Sequence, residues 1–144
     1  MYQIGKLSAQ ADVPEKTIRY YEEIGLLPVA RRSENGYRLY DDTDVERLRF
    51  VRRARALEFA LNEIAEILAF RDRNEPPCRY VMDVMREQID IVRERIRSLE
   101  QIRNELQMLY GAGQHLPEDV QMRTCVCHLI KVGMSQPSAD KEEL

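Results

Sequence analysis

From about Tyr80 to Tyr110 the chain contains neither glycine nor proline, the two residues least compatible with a helix interior. Within this stretch Met85, Ile89, Val92, Ile96 and Leu99 recur in steps of four and three. After one short step Ile102, Leu106 and Leu109 follow. This spacing predicts an a/d seam with charged flanks. At 1.5 Å per residue the helix is roughly 46 Å long. A chain of 144 residues offers such a helix too little partner surface, so the exposed seam predicts a second chain. Charged residues make up 33% of the sequence. In a short chain that suits exposed helices rather than one large spherical core.

Several classes are excluded. No run of about 18 apolar residues occurs, so no membrane span is expected. The start, Met1 to Lys6, lacks the basic-then-apolar form of a signal peptide. Three cysteines cannot all pair within one monomer, which disfavours a disulfide-framed secreted module. The cytoplasm is the expected compartment, where clustered thiols are more often metal ligands or redox groups than staples. The sequence has no Gly-rich phosphate loop, no His-Glu-x-x-His and no serine nucleophile elbow, so an enzyme is not expected.

The formal net charge of −3 speaks at first against a nucleic-acid partner. The charge is unevenly placed, however. Residues 1–55 carry eleven basic and nine acidic side chains, and residues 56–144 carry eleven and sixteen. Five arginines (47, 49, 52, 53 and 55) lie close together. The N-terminal third is a basic island in an acidic chain.

Ile4, Leu7 and Ala11 have helical spacing. Asp12-Val13-Pro14 breaks it, and Pro14 suits a helix start. A second helix carries Thr17, Ile18, Tyr21 and Ile24 and stops at Gly25. Two short helices joined by a tight turn predict a helix-turn-helix. An extended stretch from Val29 to Tyr40 centres on Asn35-Gly36, a hairpin signal because both residues tolerate positive φ. Thr43-Asp44-Val45-Glu46 reads as a capping box, opening a helix with Val45, Leu48, Val51 and Ala54 on one face. A shorter helix, about Leu61 to Phe70, places Ile64, Leu68 and Phe70 inward. A polar linker from Arg71 ends in Pro76-Pro77. The expected domains are a DNA-binding unit at 1–75, a dimerisation helix at 76–111, an effector loop and short helix at 112–132, and a flexible tail at 133–144.

On the second helix Lys16, Thr17, Arg19 and Tyr20 can face outward while Ile18 and Tyr21 pack inward. Arg19 suits a base edge or a phosphate, and the Thr17 and Tyr20 hydroxyls suit phosphate. The hairpin adds Arg31, Arg32, Asn35, Tyr37 and Arg38 on a narrow ribbon. Together they suggest a helix in the major groove with a wing along the backbone of double-stranded DNA. Each part alone has a plainer reading. An Arg-Tyr-Tyr-Glu stretch is often an ordinary amphipathic helix, and an arginine cluster is often a solvated face. The ordered combination points to DNA.

The runs Ile4-Gly5-Lys6-Leu7, Thr17-Ile18-Arg19-Tyr20-Tyr21-Glu22, Gly25-Leu26-Leu27-Pro28 and Asn35-Gly36-Tyr37-Arg38-Leu39-Tyr40 occur in that order. They are followed by Val45-Glu46-Arg47-Leu48 and Leu61-Asn62-Glu63-Ile64. This series closely resembles the N-terminal domain of MerR-family transcriptional regulators, and with the long helix it covers roughly residues 1–110. The resemblance implies a mainly α fold: a winged helix-turn-helix, a long antiparallel coiled-coil dimerisation helix and a C-terminal metal-binding loop. It implies a homodimer on promoters whose −35 and −10 elements are too far apart. Effector binding then distorts the operator so that RNA polymerase engages both. By the family pattern Thr17, Arg19, Tyr20, Arg31, Tyr37 and Arg38 contact DNA. One departure is Ala60, which stands where many relatives carry a Ser or Thr cap, at a cost of ~1 kcal/mol.

The cysteines bear on the effector. Cys78 opens the long helix, where the helix dipole favours a negative charge. Cys125 and Cys127 lie beyond its far end. One chain would have to run back almost fully extended to join them. In an antiparallel dimer one chain's helix start lies beside its partner's helix end. A shared site is therefore expected, Cys78 from one chain with Cys125 and Cys127 from the other. Thiolates favour soft or borderline ions such as Hg(II), Cd(II), Pb(II), Zn(II) or Cu(I) over Mg or Ca. His128 is a candidate fourth ligand. Cys78 and Cys127-His128-Leu129-Ile130 resemble positions of metal-sensing relatives. A Cys at the first of these resembles the divalent sensors rather than the copper branch. Such sensors usually carry a further Cys near 111–114, which this chain lacks; Cys125 is its expected substitute. Two alternatives share the fold: a dithiol redox sensor using Cys125 and Cys127, and an architectural DNA-binding dimer with no effector.

Overall fold

The structure, a computed structural model, describes residues 1–118 and 125–133. The elements in chain order are α1 (Ile4–Ala11), α2 (Glu15–Glu23), β1 (Arg31–Arg32), β2 (Arg38–Leu39), α3 (Asp42–Ala56), α4 (Leu61–Asp72), α5 (Cys78–Gly113) and α6 (Val126–Val132). The mainly α architecture with a small wing agrees with the expectation. The chain divides into two compact units, Met1–Ile89 and the part from Asp90 onward.

In the first unit the helical spacings hold except at Ile24, which is the C-cap of α2 and 42% exposed. Leu7 and Ala11 of α1, Ile18 and Tyr21 of α2, and Val45, Leu48, Val51 and Ala54 of α3 are all buried. They share one core with Leu26, Leu27, Tyr40, Ile64, Ile67 and Leu68. The turn between α1 and α2 pivots on Asp12, whose φ of 57° is left-handed. Ser8 ties it down: its hydroxyl donates to the Val13 carbonyl at 2.6 Å, and the Val13 N–H donates to the Ser8 carbonyl at 3.2 Å. Pro14 is the N-cap of α2 rather than its first residue. Gly25 ends the helix at φ 84°, a conformation that a Cβ would strain.

Three sequence expectations need correction. The hairpin loop is three residues long, closed by the Ser33 N–H donating to the Tyr37 carbonyl at 2.8 Å. Only Gly36 takes positive φ there; Asn35 does not, so the turn belongs to the longer glycine-bulge kind. The cap of α3 is Asp41, not Thr43. Its Oδ1 accepts from the Thr43 and Asp44 N–H groups at 3.0 and 3.2 Å, and Asp44 Oδ2 accepts from the Asp41 N–H at 2.9 Å. The displacement follows from Tyr40, which is 1% exposed and exchanges backbone hydrogen bonds with Tyr2 at 2.6 and 2.8 Å. The extended chain is held to that point, and the first acceptor after it becomes the cap. Third, α4 runs to Asp72, so the linker to α5 is shorter, and Ile67 joins Ile64 and Leu68 as a core residue while Phe70 is only half-buried.

α5 has 36 residues and starts at Cys78. Its first turns belong to the N-terminal core. Val84 is buried there, with Tyr80 and Val81 packed against it, and the Phe70 and Tyr80 rings meet at 5.9 Å. In the second unit the helix continues past Gly111 to Gly113. Leu109 is buried, and the Val126 methyls lie 3.1–3.2 Å from where a Cβ at Gly113 would stand. The short helix expected within 112–132 is α6, Val126–Val132, capped by Cys125. The expected tail beyond Gly133 lies outside the described residues.

Candidate nucleic-acid interface and thiol pair

On α2 the core takes Ile18 and Tyr21, which turns Lys16, Arg19 and Tyr20 to the exposed face and leaves Thr17 half-buried. Arg19 reaches back to Glu15 at 3.5 Å, both side chains about half exposed. An ion pair so exposed holds the guanidinium only weakly. The wing pairs Arg31 with Leu39 and Arg32 with Arg38. Arg31, Asn35 and Tyr37 are exposed and Arg38 is half-buried. Arg32 turns back to the Gly36 carbonyl at 2.7 Å. All eight residues expected to contact DNA therefore lie on α2 or the wing.

The arginine cluster does something different from what its charge suggests. Arg47 Nε donates to the Leu26 carbonyl at 2.7 Å, and its two terminal nitrogens grip Asp72 at 2.8 and 3.1 Å. That fork holds the Asp72 carboxyl below its ordinary range. Arg49 donates to the Gln10 carbonyl at 3.1 Å, Arg52 pairs with Asp12 at 2.9 Å and Arg55 donates to the Phe59 carbonyl at 2.7 Å. Guanidinium forks suit carbonyls and carboxylates left over at helix ends. Arg47, Arg49 and Arg55 thus tie down helix ends, while the Arg52–Asp12 pair, 58% and 80% exposed, holds as weakly as that of Arg19.

Sequence reasoning missed Glu22. Its side chain is only 10% exposed. Oε1 accepts from the Tyr40 hydroxyl at 3.0 Å and lies 3.3 Å from Arg38 Nε, while Oε2 accepts from the Ala30 N–H at 3.2 Å. Burial, followed by the bond to Glu22, pushes the Tyr40 phenol up. The signal was available: Glu22 falls four residues after Ile18, on the buried stripe of α2. A carboxylate on such a stripe requires partners.

The three cysteines carry free thiols. Cys78 is exposed at the first residue of α5. Cys125 is buried at the cap of α6, and Cys127 is exposed on its first turn. The neighbouring Cys125 side chain pushes the Cys127 thiol up. His128 is half-buried on the same helix, about 100° around from Cys127. Among the described residues, no three Cys, His, Asp or Glu side chains of one chain converge as a metal site. A single chain therefore assembles two of the expected thiols.

A helix-turn-helix with an arginine-rich wing, continued by a long helix with an exposed apolar stripe, defines a winged-helix DNA-binding protein. The profile described as "MerR HTH family regulatory protein" matches residues 2–70, and that described as "MerR, DNA binding" matches residues 45–109. The chain is 37% identical over 124 residues to the mercuric resistance operon regulatory protein of Bacillus cereus, covering 86% of this chain and 92% of that one. It is 39% identical over 113 residues to the HTH-type transcriptional regulator ZntR of Escherichia coli K12, covering 78% and 80%. Among solved structures it is similar to the lead(II) complex of the regulator PbrR691 from Ralstonia metallidurans CH34. That match has a TM-score of 0.75 and 35% identity, and covers 90% of this chain and 99% of that one. The chain belongs to the MerR family of transcriptional regulators, DNA-binding proteins rather than enzymes.

Proposed function

We propose that this chain is a cytoplasmic homodimeric activator that responds to a soft or borderline metal ion at promoters with an over-long spacer. α2 enters the major groove with Lys16 and Arg19 on its outward face and the Thr17 and Tyr20 hydroxyls on phosphates, and Arg31, Asn35, Tyr37 and Arg38 hold the backbone. Two heads on one two-fold linker impose a fixed separation on two half-sites. A change of linker angle then bends or untwists the DNA between them, at on the order of 1–6 kcal/mol. The distorted operator lets RNA polymerase engage both promoter elements. An effector drives this change by binding the two dimer states unequally.

The observation that carries the metal reading is the thiol pair at α6. Cys125 caps α6 and Cys127 follows two residues later on its first turn, and the only other thiol in the sequence, Cys78, is exposed at the start of α5. Three thiols form a donor set suited to Hg(II), Cd(II), Pb(II) or Zn(II), less to Cu(I). The relatives named for mercuric resistance and the lead(II) complex support the same ion class. Cys78 of one protomer with Cys125 and Cys127 of the other would hold the ion, with His128 as a further donor. The bound ion supplies a positive charge shared by both chains.

The test titrates reduced protein anaerobically with Cd(II), Pb(II), Hg(II) and Zn(II), following the thiolate charge-transfer band where the ion gives one. Cys78→Ser and Cys127→Ser each abolish high-affinity binding. Mixed and re-equilibrated, the two variants form dimers in which one site carries both defects and the other is intact, so binding returns. A site contained within one chain gives no such recovery. No tight binding of any of these ions by the parent protein would sink the metal reading and favour the dithiol redox switch.

A further inference from the structure

We propose that Glu22 is a positioning residue for DNA reading: it sets the wing against the recognition helix. The proposal rests on the reading that the wing grips the DNA backbone. β1 and β2 have two residues each, and so small a hairpin is marginal by itself. It also carries Arg31, Arg32 and Arg38, and it places Arg32 directly opposite Arg38. Like charges facing across a ladder repel. Glu22 supplies the missing counter-charge and fastens the ribbon at three points. It holds Ala30 just before β1, Arg38 within β2 and Tyr40 just after it. These two hydrogen bonds and one ion pair end on one side chain of α2, the helix that carries Arg19 and Tyr20. Beside the core packing of Tyr40 and its bridge to Tyr2, this carboxylate is the side-chain link from the reading helix to both strands' ends.

The ion pair with Arg38 has a second consequence. Glu22 engages Nε, the nitrogen at the stem of the guanidinium. The two terminal nitrogens remain for a phosphate, in an orientation set before DNA arrives. Preorganisation of this kind improves binding by removing the cost of ordering a long side chain.

Simple electrostatics makes the opposite prediction, which gives the test its edge. Removing a negative charge beside a DNA-binding surface should tighten binding. A positioning role requires that it weaken. The experiment uses the full-length chain, the duplex that the parent protein selects from a randomised library, and an unrelated duplex as the non-specific probe. Glu22→Ala and Glu22→Gln are compared with Tyr40→Phe, which removes one bond of the network and keeps the carboxylate on Arg38. Melting temperature and the salt dependence of affinity are recorded for each. Expected are a loss of about tenfold or more in affinity for the selected duplex with Glu22→Ala, and a shallower salt slope, by about one per head, as Arg38 loses its phosphate. Glu22→Gln, which keeps an acceptor for Ala30 and Tyr40, falls between. Tyr40→Phe lowers the melting temperature and keeps the slope. Selected-duplex affinity unchanged or improved in both Glu22 variants overturns the proposal. So does an equal loss of slope in Tyr40→Phe, since loosening alone would then suffice. Glu22→Gln decides the matter if Glu22→Ala does not fold. Arg38→Ala and Arg31→Ala are the separate controls: an unchanged slope in Arg38→Ala overturns the proposal, and an unchanged slope in both shows that the wing arginines do not hold phosphate, so that the underlying reading falls too.

Discussion

Two side chains of the head show how far single residues decide its behaviour. Arg19 is exposed on α2 and bound only to Glu15 at 3.5 Å, so its guanidinium is available to a base edge. Arg19→Ala is expected to cost ~1–3 kcal/mol in affinity for the selected duplex and to relax preference at one base position. It should leave binding to unrelated DNA almost unchanged. An equal loss on both DNAs would reassign Arg19 to phosphate. Ala60 is the other case. Its backbone at the start of α4 is extended, as an N-cap requires, and its N–H donates to Glu63 Oε1 at 2.8 Å. Half of a capping box is therefore formed, and alanine has no side-chain acceptor for the other half. Ala60→Ser should complete it and raise stability by ~0.5–1 kcal/mol in denaturant unfolding. An unchanged midpoint would mean that the first turn of α4 is already satisfied elsewhere.

At the scale of elements, the head is stitched by acids whose titration can be read. The Thr43 hydroxyl and the Asp44 N–H hold the Asp41 carboxyl low, and Arg47 holds Asp72 low. A carboxyl with a depressed folded pKa contributes stability above its unfolded value, and that stability is lost as pH falls through the folded one. Asp44 runs the other way: burial raises it, so its protonation offsets part of the loss. The melting temperature should therefore decline below about pH 4, and Asp72→Asn should flatten the decline. A slope unchanged by Asp72→Asn would show that the Arg47 fork contributes nothing measurable. These links were also the least legible features of the sequence. Periodicity marked the buried faces of α1, α2 and α3 because each is a local pattern. The partners of Arg47 and Arg49 lie 21 to 39 residues away, and a run of arginines looks the same whether it faces DNA or a carbonyl. The cap of α3 was misplaced for a related reason. Two overlapping boxes compete, and the Tyr2–Tyr40 bridge chooses between them. The short helix expected within 112–132 is α6, of only seven residues; its bounds were not legible, because the contact of Val126 with the end of α5 is not a local pattern. Of the candidate site, the outward face of α2 was readable, but Glu22 was hidden among ordinary surface acids.

For the whole molecule the decisive quantity is the apolar stripe of α5. Met85, Ile89, Val92, Ile96, Leu99, Ile102 and Leu106 are 37–60% exposed in the single chain. Scattered apolar residues on a surface are ordinary, but a contiguous row along one helix marks an interface. Were the chain a functioning monomer, a charge placed on this stripe would be a surface substitution, within about 0.5 kcal/mol of neutral. In a two-fold dimer each substitution occurs twice across one interface, and two buried charges face an apolar partner without compensation. Ile96→Asp combined with Leu99→Asp therefore separates the two cases. Sedimentation should show a monomer whose N-terminal head melts as before, since neither residue belongs to that core. Affinity for the selected duplex should fall to that of one head, because the second head no longer binds at the effective concentration set by the linker. Metal binding should fall with it if Cys78 and the Cys125–Cys127 pair come from different chains. A double variant that keeps its mass, its duplex affinity and its ion would place the dimer contact elsewhere.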